Sequence, residues 1–113
     1  MTRKIYGLAY CDSTKATMKA FEQQNIAFEL HDYKTDGITE AKIKSWLEQV
    51  PADKLLNKKS TTWRGLSGPE QALADDINTL PALLQKHSSL MKRPVVELNG
   101  KVETVGLPPG VKK

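Results

Sequence analysis

The segment Arg-Lys-Ile-Tyr-Gly-Leu-Ala-Tyr-Cys-Asp-Ser-Thr-Lys, residues 3–15, decides the fold because a strand pattern in it passes directly into a helix pattern. Residues 3–8 favour a short strand, and beyond them apolar residues recur at helical spacing. Ser13 or Thr14 is expected to be the N-cap of the helix, because a hydroxyl there accepts a backbone hydrogen bond. Cys11 is therefore predicted to lie at a strand-to-helix junction.

A second strand is predicted over residues 26–33, where apolar and polar side chains alternate, and a turn is predicted at residues 35–37. The order strand, helix, strand is typical of a crossover unit. The two strands are therefore expected to be parallel.

The middle of the chain predicts helices and turns. Thr39 is expected to cap a helix that ends before Pro51. Thr79 is expected to cap a second helix, over residues 79–87, that has Pro81 in its first turn. Residues 55–69 are rich in turn formers and basic side chains, which indicates a loop or short helical turns.

The last part of the chain predicts a β-hairpin. Residues 94–98 and 101–105 both favour strands, and Asn99-Gly100 between them is a strong signal for a tight turn. An antiparallel hairpin after a β-α-β unit and further helices is typical of a thioredoxin-like α/β fold. We therefore expect a mixed central sheet flanked by helices, in a single domain over residues 1–113.

Composition restricts the possible chemistry. With 113 residues, of which 39% are hydrophobic and 27% charged, the chain can bury one modest core. Its single cysteine excludes an internal disulfide framework and a metal site of several thiolates, and His31 and His87 have no ligand-spaced partner. We expect no metal and no tightly bound cofactor, so redox chemistry at Cys11 would need an external thiol.

No apolar run of membrane-spanning length and no signal-type segment is visible, so a cytoplasmic protein without membrane contact is expected. The net charge is +4 and the isoelectric point is near 9.2. The lysines are spread along the chain among acidic residues, which favours a solvated surface of mixed sign over a nucleic-acid-binding face.

Three segments together resemble the arsenate-reductase-like (ArsC/Spx/YffB) family. They are Tyr-Cys-Asp-Ser-Thr-Lys at residues 10–15, Leu-Leu-Asn-Lys-Lys-Ser-Thr-Thr-Trp-Arg-Gly-Leu at residues 55–66, and Lys-Arg-Pro-Val at residues 92–95. The run Thr-Thr-Trp-Arg at residues 61–64 is most similar to the YffB branch. The resemblance implies a thioredoxin-like fold and a thiol-dependent oxidoreductase.

The resemblance also implies roles for individual residues. Cys11 would be the nucleophile, and Arg93 would recognise an anion beside it. Thioredoxin-like folds place a cis-proline opposite the active cysteine, so the bond from Arg93 to Pro94 is predicted to be cis.

Around Cys11 the hydroxyls of Ser13 and Thr14 are expected to donate to the sulfur, and Lys15 to add positive charge. Lys58, Lys59 and Arg64 are second-rank candidates for a basic rim that receives an anionic thiol such as glutathione. A buried, inert cysteine is the competing interpretation of Cys11, but its place before a helix favours a reactive thiolate.

The leading hypothesis is a reductase in which glutathione or glutaredoxin resolves the adduct formed by Cys11 with a small anionic or disulfide substrate. The main alternative is an Spx-like regulatory module that binds a protein partner such as RNA polymerase. Spx proteins have a second cysteine where this chain has Thr14. Arsenate reductase proper is a narrower alternative, but of the three arginines expected there only Arg93 is present, and Asn57 replaces the first.

Overall fold

The computed structural model describes residues 2–113, which form two compact units. One unit contains the described residues up to Gly37 together with Arg93–Lys113, and the other is Ile38–Lys92. The prediction of one domain over residues 1–113 stays a prediction. In chain order the elements are β1 (Arg3–Gly7), α1 (Asp12–Gln23), β2 (Phe28–Asp32), α2 (Tyr33–Asp36), α3 (Glu40–Gln49), α4 (Ala52–Leu55), α5 (Thr61–Gly65), α6 (Gly68–Ala72), α7 (Leu80–Lys86), β3 (Val95–Leu98) and β4 (Lys101–Val105).

The four strands form one mixed sheet in the order β2-β1-β3-β4. Strands β1 and β2 are parallel, with Gly7 opposite Asp32, whereas β3 is antiparallel to both β1 and β4. The predicted mixed α/β architecture, the parallel pair and the hairpin are confirmed.

The core of the first unit lies between the sheet and α1. Ile5 of β1, Phe21 of α1 and Val96 of β3 are buried against one another. Burial of such apolar side chains is the main force that fixes α1 on the sheet. This packing also fixes the position of Cys11, which immediately precedes α1.

Two local predictions in this unit are wrong. Neither Ser13 nor Thr14 is the N-cap of α1, because the carbonyl of Cys11 accepts the helical hydrogen bond from Lys15 at 2.9 Å and Cys11 is itself the N-cap. Strand β2 ends at Asp32 instead of continuing to residue 33, because the Asp32 carboxylate accepts from the backbone of Lys34 and starts a helical turn.

The second unit contains α3 to α7. As predicted, Thr39 caps α3, with its hydroxyl accepting from the backbone N–H of Lys42 at 3.1 Å. The region from residue 55 to 69 consists of short helical turns, two of which begin at Ser60 and Ser67 through the same kind of side-chain cap. Fully buried side chains from α3 and from the segments around α4 and α7 make the core of this unit; they are Ile43, Trp46, Leu55, Leu84 and Leu90.

The hairpin and the proline before it match their predictions. Asn99 and Gly100 both have positive φ, 54° and 78°, as a tight turn between right-twisted strands requires. The peptide bond between Arg93 and Pro94 is cis. Among residues 2–113, no helix combines the length and the apolar character needed to cross a bilayer.

Candidate active site

Cys11 lies where β1 passes into α1. A turn between the two elements is closed by the backbone N–H of Cys11, which donates to the carbonyl of Leu8 at 2.9 Å. The side chain is partly exposed and forms no disulfide. A thiol in this position is open to an incoming sulfur or anion.

The surroundings of the sulfur favour the thiolate. Partial burial raises the pKa of the Cys11 thiol, but the donor groups around the sulfur outweigh burial and bring the pKa below its ordinary value. These groups are the backbone N–H of Thr14, the Arg93 side chain, the Thr14 hydroxyl and the backbone N–H of Ser13. The predicted contributions of Ser13, Thr14 and Arg93 therefore meet at one atom, although Ser13 contributes its backbone instead of its hydroxyl.

Thr14 lies close to β1 because residue 7 of that strand is a glycine. Its side chain is fully buried, and among residues 2–113 its hydroxyl finds no hydrogen-bond partner of ordinary geometry. The hydroxyl does act on the neighbouring Cys11 thiol, whose pKa it lowers. A Cβ on Gly7 would collide with this hydroxyl and lie 3.2 Å from the Thr14 methyl group. Glycine at position 7 therefore lets the first turn of α1 approach the end of β1.

Arg93 is half-buried, and it acts both on the Cys11 thiol and on a cluster of three buried polar side chains, Tyr6, Tyr33 and Glu97. Tyr6, Tyr33 and Glu97 are each at most 5% exposed. Burial, followed by the charge of Glu97 and a hydrogen bond to it, raises the pKa of Tyr6 to about 12. Burial also raises the pKa of Tyr33, against the opposing effect of the Arg93 charge.

Sequence reasoning missed Asp32, Tyr33 and Glu97. The carboxyl ends of parallel neighbouring strands lie at the same edge of a sheet, and Gly7 is in register with Asp32. That rule indicates that Asp32 and Tyr33 lie near the segment leading to Cys11. Glu97 has no comparable signal, because a charged residue in a strand is expected to face water.

The other predicted site residues have different surroundings. Lys15 is exposed and lines a cleft of about 590 Å³ together with Lys19, Lys112 and Lys113. Pro94 is buried, and its carbonyl accepts a hydrogen bond from the backbone N–H of Gly106 at 2.9 Å.

The remaining two, Lys58 and Arg64, belong to the second unit. The ammonium group of Lys58 lies 5.3 Å from the ring centre of Trp63, and Lys58 lines a pocket of about 370 Å³ that also contains Lys59 and Lys92. Arg64 instead donates to the backbone carbonyl of Lys59 at 3.0 Å. The predicted part of Lys58 and Arg64 in thiol binding stays a prediction.

The described part of the chain, residues 2–113, contains no cluster of three or more histidine, cysteine, aspartate or glutamate side chains arranged to hold a metal ion. The chemistry that the geometry offers is that of a stabilised thiolate next to a guanidinium group. Such a pair can attack a sulfur atom or hold an anion near the sulfur.

The model of the ArsC family matches residues 6–111, which include the cysteine turn, the cis-proline and the hairpin. The chain belongs to the ArsC family. An uncharacterized protein of Haemophilus influenzae is 35% identical to this chain over 97 residues. The alignment covers 86% of this chain and 84% of that protein.

Solved structures agree with membership of the ArsC family. A YffB protein superposes with a TM-score of 0.87 at 31% identity, over 95% of this chain and 92% of its own. An arsenate reductase (ArsC) related protein from Brucella melitensis has a TM-score of 0.77 at 34% identity, over 96% and 89% of the two chains. The thioredoxin-like fold predicted from the sequence is thereby confirmed, within a thiol-reductase-like family.

Proposed function

We propose that this ArsC-family protein is a glutathione- or glutaredoxin-dependent thiol reductase that uses Cys11 as its single nucleophile. The observation that carries the proposal is the set of donor groups around the Cys11 sulfur, because they lower the pKa of the thiol and so increase the fraction of thiolate at a given pH. Arg93 adds a fixed positive charge at the same atom.

In the proposed reaction, the Cys11 thiolate attacks the glutathione sulfur of a mixed disulfide. The S–S bond of the substrate breaks, its thiol leaves, and Cys11 is joined to glutathione. The thiolate of a second glutathione then attacks the glutathionyl sulfur, which releases glutathione disulfide and returns Cys11 to its thiolate. Two electrons pass from the glutathione thiols to the substrate.

External resolution follows from the sequence, since the chain has one cysteine. Thr14 stands where a second cysteine would form an internal disulfide, and it contributes its hydroxyl to the sulfur instead. Glutathione or glutaredoxin is therefore proposed as the co-substrate, and the reducing cytoplasm as the place where it acts.

Arsenate reduction is the weaker version of this proposal. An oxyanion held by three arginines is expected for arsenate, and of those positions only Arg93 is an arginine here. A single guanidinium group can bind one carboxylate or one oxyanion edge in a bidentate manner. We therefore expect disulfide reduction to exceed arsenate reduction.

The test is a turnover assay of the purified protein with glutathione, with and without glutaredoxin, on a small glutathione mixed disulfide and on arsenate. The Cys11→Ser variant should fold like the wild type but lose turnover, because a serine hydroxyl is hardly ionised near neutral pH. Activity of Cys11→Ser close to that of the wild type would refute the assignment of the nucleophile.

The pH dependence of Cys11 alkylation distinguishes the proposed reductase from the alternative, a regulatory module that binds a protein partner. A midpoint clearly below the free-cysteine value of about 8.5 supports the reductase. A midpoint at or above that value, together with no turnover on any disulfide, would favour the module.

A further inference from the structure

The carboxylate of Asp32 bonds two separate pieces of backbone. Its Oδ2 accepts from the backbone N–H of Ala9 at 3.0 Å, and its Oδ1 accepts from the backbone N–H of Lys34 at 2.7 Å. The bond to Lys34 is a local helix cap. The bond to Ala9 spans 23 residues of sequence and reaches the turn that carries Cys11.

The turn is fixed at its two ends, where Leu8 is buried and Cys11 is the N-cap of α1, but less so between them. Ala9 and Tyr10 are exposed, Tyr10 at 64%, so packing fixes them only weakly. Within the turn, Cys11 donates to Leu8. The bond from Ala9 to Asp32 links the turn to the end of the neighbouring strand, where Gly7 and Asp32 are in register.

Asp32 is itself well fixed. The backbone N–H of Asp32 donates to the carboxylate of Asp36 at 3.0 Å. Hydrogen bonds therefore hold Asp32 through its backbone as well as through its side chain. The hydrogen bonds from Ala9 and Lys34 lower the pKa of Asp32, with burial acting weakly the other way. The carboxylate therefore stays an ionised acceptor throughout the neutral pH range.

We propose that Asp32 is a positioning residue for Cys11, which holds the turn at Ala9 so that the sulfur remains against the N–H groups of Ser13 and Thr14. This inference deepens the proposed function and rests on it, because the position of the sulfur matters only if the thiolate reacts. Asp32 acts here through geometry, and it touches no reacting atom.

The test compares Asp32→Asn and Asp32→Ala with the wild type. The readouts are the hydrogen exchange rate of the Ala9 amide and the pH midpoint of Cys11 alkylation by iodoacetamide. Alanine removes both acceptors, so Ala9 exchange should speed up about tenfold or more. The alkylation midpoint should rise by roughly half a unit, which means about threefold less thiolate below the midpoint. Asparagine keeps one acceptor oxygen and should show a smaller effect in the same direction.

Asp76→Asn is the matched control. Asp76 accepts from the backbone N–H of Asn78 at 2.8 Å, the same bond over two residues that Asp32 makes with Lys34. It should cost similar stability while leaving Ala9 exchange and the Cys11 midpoint unchanged.

The other outcomes overturn the proposal in distinguishable ways. A lower midpoint in Asp32→Asn would mean that Asp32 acts on Cys11 through its charge. An unchanged midpoint, with no more than the stability loss of Asp76→Asn, would mean that Asp32 only supports the fold. Neither readout requires turnover, so a failure here is separate from a failure of the reductase assignment.

Discussion

Replacement of Gly7 by alanine tests the close approach of α1 to β1. The added Cβ would collide with the Thr14 hydroxyl and lie 3.2 Å from the Thr14 methyl group. Thr14 is fully buried and β-branched, so its side chain has few alternative rotamers in a helix. The conflict must be relieved by a shift of the first turn of α1 away from the strand.

The expected cost follows from two opposing effects. Overpacking of a well-packed site costs about 1–3 kcal/mol. Replacement of glycine by alanine also restricts the unfolded chain and returns about 0.4–1 kcal/mol. We therefore expect Gly7→Ala to lower the free energy of unfolding by about 1–2 kcal/mol.

Equilibrium unfolding in urea measures this cost, and two variants make the measurement specific. Gly65→Ala introduces the same methyl group where no atom lies within 4 Å, so its stability should match or slightly exceed that of the wild type. Thr14→Ala removes the colliding atoms, so Gly7→Ala made in that background should cost less than about 0.5 kcal/mol. An equal cost in both backgrounds, or no cost in the first, would refute the steric argument.

Three further predictions concern Cys11. Thr14→Val keeps the shape of the side chain but removes the hydroxyl, so the pKa of Cys11 should rise, as ultraviolet absorbance of the thiolate will show. Arg93→Ala should raise the pKa of Cys11 more than Thr14→Val does, and it should weaken glutathione dependence in the turnover assay. Arg93→Lys keeps the positive charge, so it should mainly weaken anion binding, because the two parallel donors of the guanidinium group are lost. Superimposable titrations of wild type and both Arg93 variants would contradict this. Because the folded-state pKa of Cys11 is lowered, its stabilising effect is complete above the unfolded-state pKa of about 8.5 and is lost as pH falls through the folded-state pKa. Urea unfolding of wild type against Cys11→Ser should show this difference growing with pH, and a constant difference would argue against it.

The elements that the sequence predicts well are those with strong local signals. Asn99-Gly100 fixes the hairpin because both residues accept positive φ, and the alternation around it supplies the strands. The junction at Cys11 follows from a change of hydrophobic period, and the structure differs from the prediction there only in which residue caps the helix.

The rest depends on contacts between residues far apart in the chain. No local pattern reveals that Asp32 reaches Ala9 over 23 residues, or that a helical turn replaces the end of the predicted strand. The burial of Glu97 beside Tyr6 likewise arises only when β1 and β3 pair. Tertiary pairing of this kind overrides propensity, so the burial of Glu97 could not be assigned from the sequence.

The place of Cys11 bears on the second half of the proposed reaction as well as the first. Cys11 is the N-cap residue of α1, and the backbone N–H groups of Ser13 and Thr14 in the first turn lower the pKa of its thiol. The ionised sulfur is the better acceptor, so the helix end stabilises the thiolate more than it stabilises a disulfide. The same hydrogen bonds that favour ionisation therefore make Cys11 a good leaving group when an external thiol attacks the mixed disulfide. A chain with one cysteine depends on that second property, because no internal thiol can release the adduct.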